Sequence, residues 1–372
     1  MTLQEEIDKK AGEIHTDAYP MSIGELISLY RDNELDIHPE FQRFFRWTLL
    51  QKTKLIESIL LGLPLPPIFV SQRDDGVWDV VDGLQRLSTI FEFVGILKEE
   101  NGDLHPPSKL TKAKYLPSLE GKIWESDNSN GSLTSAQRLE FKREKIGVQI
   151  IKKESDPDIK YELFQRINTL GTRLSDQELR NCLLIMVNRD FYDWLNNLAK
   201  YEPFTDCIVL SDKSINEQYN LELALRFIIF KNVDIGDMHG FGFLAEFLTE
   251  KMIEFAESPT FDKETEEQIF KNTFDFINKT LSEYAFKRYN FDKERFEGKF
   301  LLSAYEAIGI GVGSNIDEWN TKTIDNDLIE DVKDRAISLW DNETYTNNIG
   351  SGINFNTRIP VIVPLGKKIF KP

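Results

Sequence analysis

The stretch Val80-Val81-Asp82-Gly83-Leu84-Gln85-Arg86-Leu87-Ser88-Thr89 decides the fold of this 372-residue chain. An apolar run stops at Asp-Gly and an amphipathic helix begins at once, so the period of the chain changes from strand to helix within two residues. Gly83 permits a tight turn, the free N–H groups of a new helix attract an anion, and Arg86 supplies a fixed guanidinium fork for phosphate oxygens. The competing reading is a plain strand–turn–helix junction, with Asp82 as N-cap and Arg86 in solvent.

The flanking segments fit a mixed architecture. Ile68–Val70 and Val77–Val81 read as two strands of a hairpin around Asp74-Asp75-Gly76, feeding directly into the turn. Leu84, Leu87, Ile90, Phe91, Val94 and Leu97 form an apolar stripe, which leaves Gln85, Arg86 and Thr89 off the buried face. Ser22/Glu25, Thr48/Gln51 and Ser175/Glu178 read as capping boxes that open helices, and Gly62 with Pro64, Pro66 and Pro67 ends the second of these. Residues 145–151 read as a third strand and 158–166 as a helix. Residues 99–133 read as a long irregular insertion able to act as a lid.

Beyond about residue 180 the pattern is almost wholly helical, with segments near 190–200, 216–232, 241–257, 262–288, 293–309 and 326–340. The tail from Gly350 to Phe370 has too much proline and alternation for a helix, so Thr357–Pro360 reads as a short strand and Arg358 as a surface charge. The expected fold class is α+β, with one domain over 1–180 and a helical domain over 181–372.

The net charge of −17 argues against broad non-specific binding of nucleic acid unless cations gather locally. Before residue 180 there are 24 Lys+Arg against 30 Asp+Glu, and after it 21 against 32, so the second half is the more acidic. Arg43, Arg46, Lys52 and Lys54 lie close together in the first half, although the two lysines also fit a solvated helix face. Cys182 and Cys207 have no paired spacing and no secretory leader is visible, which predicts a reduced, cytoplasmic protein without disulfides. The longest apolar runs are too short or too interrupted to cross a bilayer.

Three further segments carry a resemblance. They are Phe41-Gln42-Arg43 leading to Trp47, Leu55-Ile56-Glu57-Ser58-Ile59-Leu60-Leu61-Gly62-Leu63-Pro64-Leu65-Pro66-Pro67, and Phe164-Gln165-Arg166-Ile167-Asn168-Thr169-Leu170-Gly171. With the Asp82–Arg86 turn in place of a D-G-Q-Q-R motif, the region 20–185 resembles the amino-terminal domain of GmrS/GmrD-type modification-dependent restriction systems. The resemblance implies a ParB/sulfiredoxin-like fold, nucleoside triphosphate binding and hydrolysis with Mg²⁺, and a setting in bacterial defence against foreign DNA. Leu84 replaces the first Gln of that motif.

On this basis Asp82, Gln85 and Arg86 are the candidate catalytic residues, with Asp82 as metal or water partner and Gln85 orienting water. Arg43, Arg46, Gly83, Arg86, Thr89 and Asn168 are the candidate nucleotide-binding residues, though Asn168 beside Gly171 also fits a helix C-cap. The histidines, His15, His38, His105 and His239, lack the neighbours of an HNH nuclease site. Asp158-Ile159-Lys160 and Glu297-Gly298-Lys299 have the spacing of a PD-(D/E)xK motif but fall where helix is expected, so a separate nuclease subunit is the expected partner. Two other functions stay open: a sensor of modified DNA that uses Arg43 and Arg46 with little turnover, and a DNA nickase using the same turn.

Overall fold

The computed structural model describes residues 2–12, 15–37, 47–99, 101–126, 131–155, 166, 175–234, 243–350 and 352–372. Its packing divides into two units, Met1–Arg173 and Leu174–Pro372. The protein is α+β, with a five-stranded mixed sheet in the first unit and mainly helices in the second.

In the first unit, α1 (Leu3–Gly12) precedes β1 (Thr16–Ser22), α2 (Ile23–Arg31), β2 (Leu35–Asp36) and α3 (Leu49–Leu60). The hairpin of β3 (Ile68–Gln72) and β4 (Trp78–Asp82) leads into α4 (Leu84–Val94), followed by α5 (Ser135–Arg143) and β5 (Lys145–Ile151). The strand order is β1-β5-β3-β4-β2. The β1–β5 and β3–β4 pairs are antiparallel, whereas β3–β5 and β2–β4 are parallel.

Local sequence explains most of these elements. Ser22 caps α2 by accepting from the Glu25 N–H, and α3 starts with a complete capping box in which Thr48 and Gln51 bond each other's backbone. Leu55, Ile56 and Ile59 then share a buried core with Leu87, Ile90 and Phe91 of α4. Gly62, at φ +64°, ends the helix as Leu63 N–H bonds back to Ser58 O at 2.9 Å.

Two strands escaped the pattern reading. Most of β1 is exposed and Pro20 interrupts it, so it shows no alternation; an edge strand tolerates both features. Two residues, the length of β2, are too few to show a period. Helix α5 was likewise not expected, although Thr134 and Gln137 form a capping box at its start.

The described residues of the expected lid pack as a strap across the first unit. Leu110, Leu119, Trp124 and Leu133 are buried, and the Trp124 ring lies 5.7 Å from that of Phe93 and 5.3 Å from that of Phe141. The strap is also bonded to α3, where Thr53 Oγ1 accepts from Thr111 N–H at 3.1 Å and Glu57 Oε1 accepts from Tyr115 and Leu116 N–H at 2.6 and 2.7 Å. Buried apolar groups and satisfied backbone donors hold a segment that composition alone marks as irregular.

In the second unit the Ser175/Glu178 capping box opens the helix Asp176–Val187 as expected. The helices Arg189–Ala199, Tyr219–Asn232, Leu244–Glu257 and Asn326–Asp341 follow the apolar periodicity. The segment 262–288 is α-helical over Lys263–Thr280 with a 3-10 turn at Ser282–Tyr284, and 293–309 contains a strand, because β6 (Arg288–Asn290) and β7 (Arg295–Glu297) form a small hairpin.

The tail corrects the sequence expectation most clearly. Phe355–Ile369 is an α-helix despite Pro360 and Pro364 inside it. Ile359, Ile362, Val363 and Gly366 are its buried face, a helical spacing that the prolines obscure. Gly366 lies so close to the neighbouring backbone that a Cβ there would stand 2.1 Å from Ala307 O. Close packing thus compensates for the helical hydrogen bonds that proline removes. The helix expected over 158–166 lies outside the described residues except for Arg166, which is helical.

Candidate phosphate site at the Asp82–Arg86 turn

The turn is built by a register shift. Asp82 stands opposite Phe69 and Val80 opposite Val70, so β4 bulges at Val81 just before it ends. Gly83 follows at φ +103°, and a Cβ there would lie 2.4 Å from Ile68 Cγ2. Both the conformation and the contact penalise any side chain at this position. Helix α4 starts on Gly83 with no side chain capping its first turn, and its ladder begins with Leu87 N–H to Gly83 O at 2.9 Å.

Asp82 is therefore not the N-cap of α4. Its Oδ2 accepts from Arg86 Nη2 at 2.8 Å instead. Nor is Arg86 in solvent: its Nη1 donates to Pro66 O and, at 3.2 Å, to Pro67 O, while Nη2 also reaches Pro67 O at 3.2 Å. Burial pushes the Arg86 pKa down and Asp82 pulls it up, with burial the larger effect. The group stays a cation at neutral pH because guanidinium titrates so far above it. The fork is thus fixed at the mouth of the turn by one carboxylate and two prolyl carbonyls.

The other expected residues separate into distinct groups. Gln85 is half-buried beside Arg86 in the first turn. Thr89 does not face outward: it is fully buried, and its hydroxyl donates to Gln85 O at 2.7 Å. Leu84 is partly buried against the core, as its place in the apolar stripe predicts. Arg43, Arg46 and Asn168 lie outside the described residues, as do His38, His239 and Asp158–Lys160. Lys54 is exposed, but Lys52 is not a solvated lysine: its Nζ lies 2.6 Å from Glu92 Oε2 in a largely buried pair.

Pro66 and Pro67 are the site residues that sequence reasoning missed. Their signal is the proline cluster itself: proline has no N–H to offer a strand neighbour but keeps a carbonyl acceptor, and here two such carbonyls face one guanidinium.

Among the described residues no group of three or more His, Cys, Asp or Glu side chains is placed to hold a metal ion. Mg²⁺ needs no such cage when phosphates and waters supply most of its ligands, and the hard carboxylate oxygens of Asp82 fit that arrangement. Glu297 belongs to a strand rather than the helix expected there. It accepts bonds from Asn290, Lys293 and Arg295, which hold its pKa down to about 2.

A second polar cluster lies within the helical unit. Glu306 is fully buried in a π-helical turn, Tyr305–Gly309, and receives Arg358 through two bonds of 2.9 and 3.1 Å and Arg226 through one of 3.0 Å. Arg226 and Arg180 both bond Glu222. Arg358 is thus an interior ion-pair partner, not a surface charge.

The sheet, the bulged strand end, the glycine turn and the guanidinium define an α+β protein with a candidate site at a strand–turn–helix junction. Residues 23–185 match the family model described as the GmrSD restriction endonuclease, N-terminal domain, the same family that the motifs resemble. Comparison with curated proteins and with solved structures gave no match. Among the described residues no helix is long and apolar enough to cross a membrane.

Proposed function

We propose that the amino-terminal unit is a ParB/sulfiredoxin-like domain that binds a nucleoside triphosphate at the Asp82–Arg86 turn and hydrolyses it. In this reading, hydrolysis controls a DNA-directed activity carried by a partner nuclease of the restriction system. The observation that carries the proposal is the junction of Gly83 with Arg86: a glycine at positive φ, a helix start without a side-chain cap, and a guanidinium held 2.8 Å from Asp82 at the same point.

Each residue has a definite task. The first-turn N–H groups of α4 bind phosphate oxygens, the helix dipole favours their charge, and Arg86, whose Nη donors already serve Asp82, Pro66 and Pro67, adds its positive charge and its Nε–H beside them. Asp82 orients Arg86 and is the side chain to hold Mg²⁺, which when bound with the nucleotide spreads charge over the transferring phosphoryl group. Gln85 orients water without titrating. Leu84, where the family motif has Gln, packs against the core and takes no part in the chemistry.

Calorimetry with a panel of nucleoside triphosphates and Mg²⁺ tests binding, and phosphate release in the presence and absence of DNA tests hydrolysis. Saturable binding that Arg86→Ala weakens supports the proposal. No binding by any triphosphate overturns it, and binding without phosphate release leaves a nucleotide-dependent switch in place of an NTPase.

A further inference from the structure

The segment between α3 and β3, residues 61–67, reads Leu-Gly-Leu-Pro-Leu-Pro-Pro and has no polar side chain. An apolar run of this length belongs in an interior, and the equally long run 307–313 is wholly buried. Here Leu61 and Leu63 are 41% and 47% exposed, Pro64, Pro66 and Pro67 are exposed too, and only Leu65 packs partly against the core. The segment is nevertheless held at both ends. Leu63 N–H bonds Ser58 O at 2.9 Å where α3 stops. At the far end the Pro66 and Pro67 carbonyls bind Arg86, and a Cβ on Gly147 would stand 3.3 Å from Pro67 Cβ.

This exposed apolar ledge runs straight into the Asp82–Arg86 turn, and it has little with which to hydrogen-bond a ligand. Of its seven backbone nitrogens three belong to proline, and those of Leu61, Gly62 and Leu63 donate back to Glu57, Ile59 and Ser58 at the end of α3. Two of its carbonyls are engaged by Arg86. The ledge therefore offers a preformed apolar surface and lacks the row of donors and acceptors that reads the edge of a base.

We infer that the ledge receives the base and sugar of the triphosphate whose phosphates the turn holds, and that it does so without selecting among bases. The inference rests on the nucleotide reading of the turn given above. With phosphates at the first turn of α4, the nucleoside is the part of the ligand that lies outside the turn, and the ledge is the apolar surface tied to it: Leu63 stands three residues from Pro66, at most about 11 Å of chain. The ledge carries no charge for a charged partner to recognise, whereas its bonds to Arg86 join it to one ligand. A base has two apolar faces and a polar rim, so packing on leucine and proline covers a face and leaves the rim in water. Apolar contact separates ligands by about 10- to 200-fold, whereas a site that hydrogen-bonds the base separates them by about 10⁴-fold or more.

The test is calorimetry on the full chain with Mg²⁺, comparing ATP, GTP, CTP and UTP with methyl triphosphate, which has a nucleotide's charge but no nucleoside. All four nucleotides are expected to bind more tightly than methyl triphosphate and within about tenfold of one another, the purines ahead because their faces are larger. Leu63→Ser should lower affinity for all four about three- to tenfold and leave methyl triphosphate binding as it was. Leu63 is exposed, so the melting temperature should hold. Leu139→Ser, at a 48% exposed leucine of α5, is the control and should change neither. Methyl triphosphate bound as tightly as the nucleotides, one base preferred by more than about 200-fold, or nucleotide affinity unchanged in Leu63→Ser would each overturn the ledge and leave the phosphate site standing. So would a loss in Leu63→Ser that methyl triphosphate or the control variant shares. Failure of all five ligands to bind removes the phosphate site, and the ledge with it.

Discussion

Arg86, the candidate phosphate ligand, bonds Asp82 and the carbonyls of Pro66 and Pro67. Arg86→Ala is expected to weaken nucleotide binding about ten- to 150-fold, the worth of one charge-assisted contact. Because the guanidinium also satisfies Pro66 and Pro67, the same change should cost roughly 1 to 2 kcal/mol of stability, where the sequence alone predicted none. Calorimetry and a thermal melt on one preparation separate the two effects, and an unchanged affinity in a folded variant counts against the site. Gly83→Ala meets both a left-handed backbone and Ile68, and should lose about 2 kcal/mol or more in the melt. At Leu84, conversion to Gln either raises phosphate release without tightening binding, or buries an amide at roughly 1 to 3 kcal/mol with no gain in rate. Its packing against the core favours the second outcome, and a faster enzyme of equal stability would reverse that preference.

At the scale of elements, capping chemistry was the most legible signal. Ser22, Thr48 and Ser175 each begin the helix that their sequence announces, because a cap is a local bargain between side chain and backbone three residues apart. The strap was illegible for the opposite reason: its order comes from Thr53 and Glu57, more than fifty residues away in sequence. Glu57→Ala should therefore free the Tyr115 and Leu116 N–H groups and destabilise by about 1 to 3 kcal/mol, while Glu57→Gln keeps one acceptor and loses less. Hydrogen exchange over the strap provides the measurement, and unchanged protection in the Ala variant would show that apolar burial alone holds it.

At the scale of the whole molecule, stability in acid is expected to depend on the ion cluster of the helical unit. Burial alone would raise the Glu222 pKa, but Arg226 and Arg180 outweigh it and the net shift is downward. A lowered folded-state pKa means stability that is fully present above the ordinary value of 4.5 and is lost as pH falls below it. Replacing Arg358 by Ala removes two bonds from buried Glu306 and should cost on the order of 3 kcal/mol in a denaturant melt; a loss under about 1 kcal/mol would mean that Arg226 alone suffices. That cluster shows where sequence reading ends. By itself the sequence determined the hairpin, the Asp-Gly turn, the capped helices, the α+β class and the family resemblance, because each is written in residues adjacent or a helical turn apart. Only the tertiary structure decided that Thr89 is buried, that Arg86 is held by Pro66 and Pro67, that the expected lid packs as a strap and that a helix forms through Pro360 and Pro364. Those outcomes depend on partners distant in sequence and on the close fit of backbones such as Gly366 against Ala307, which no local pattern encodes.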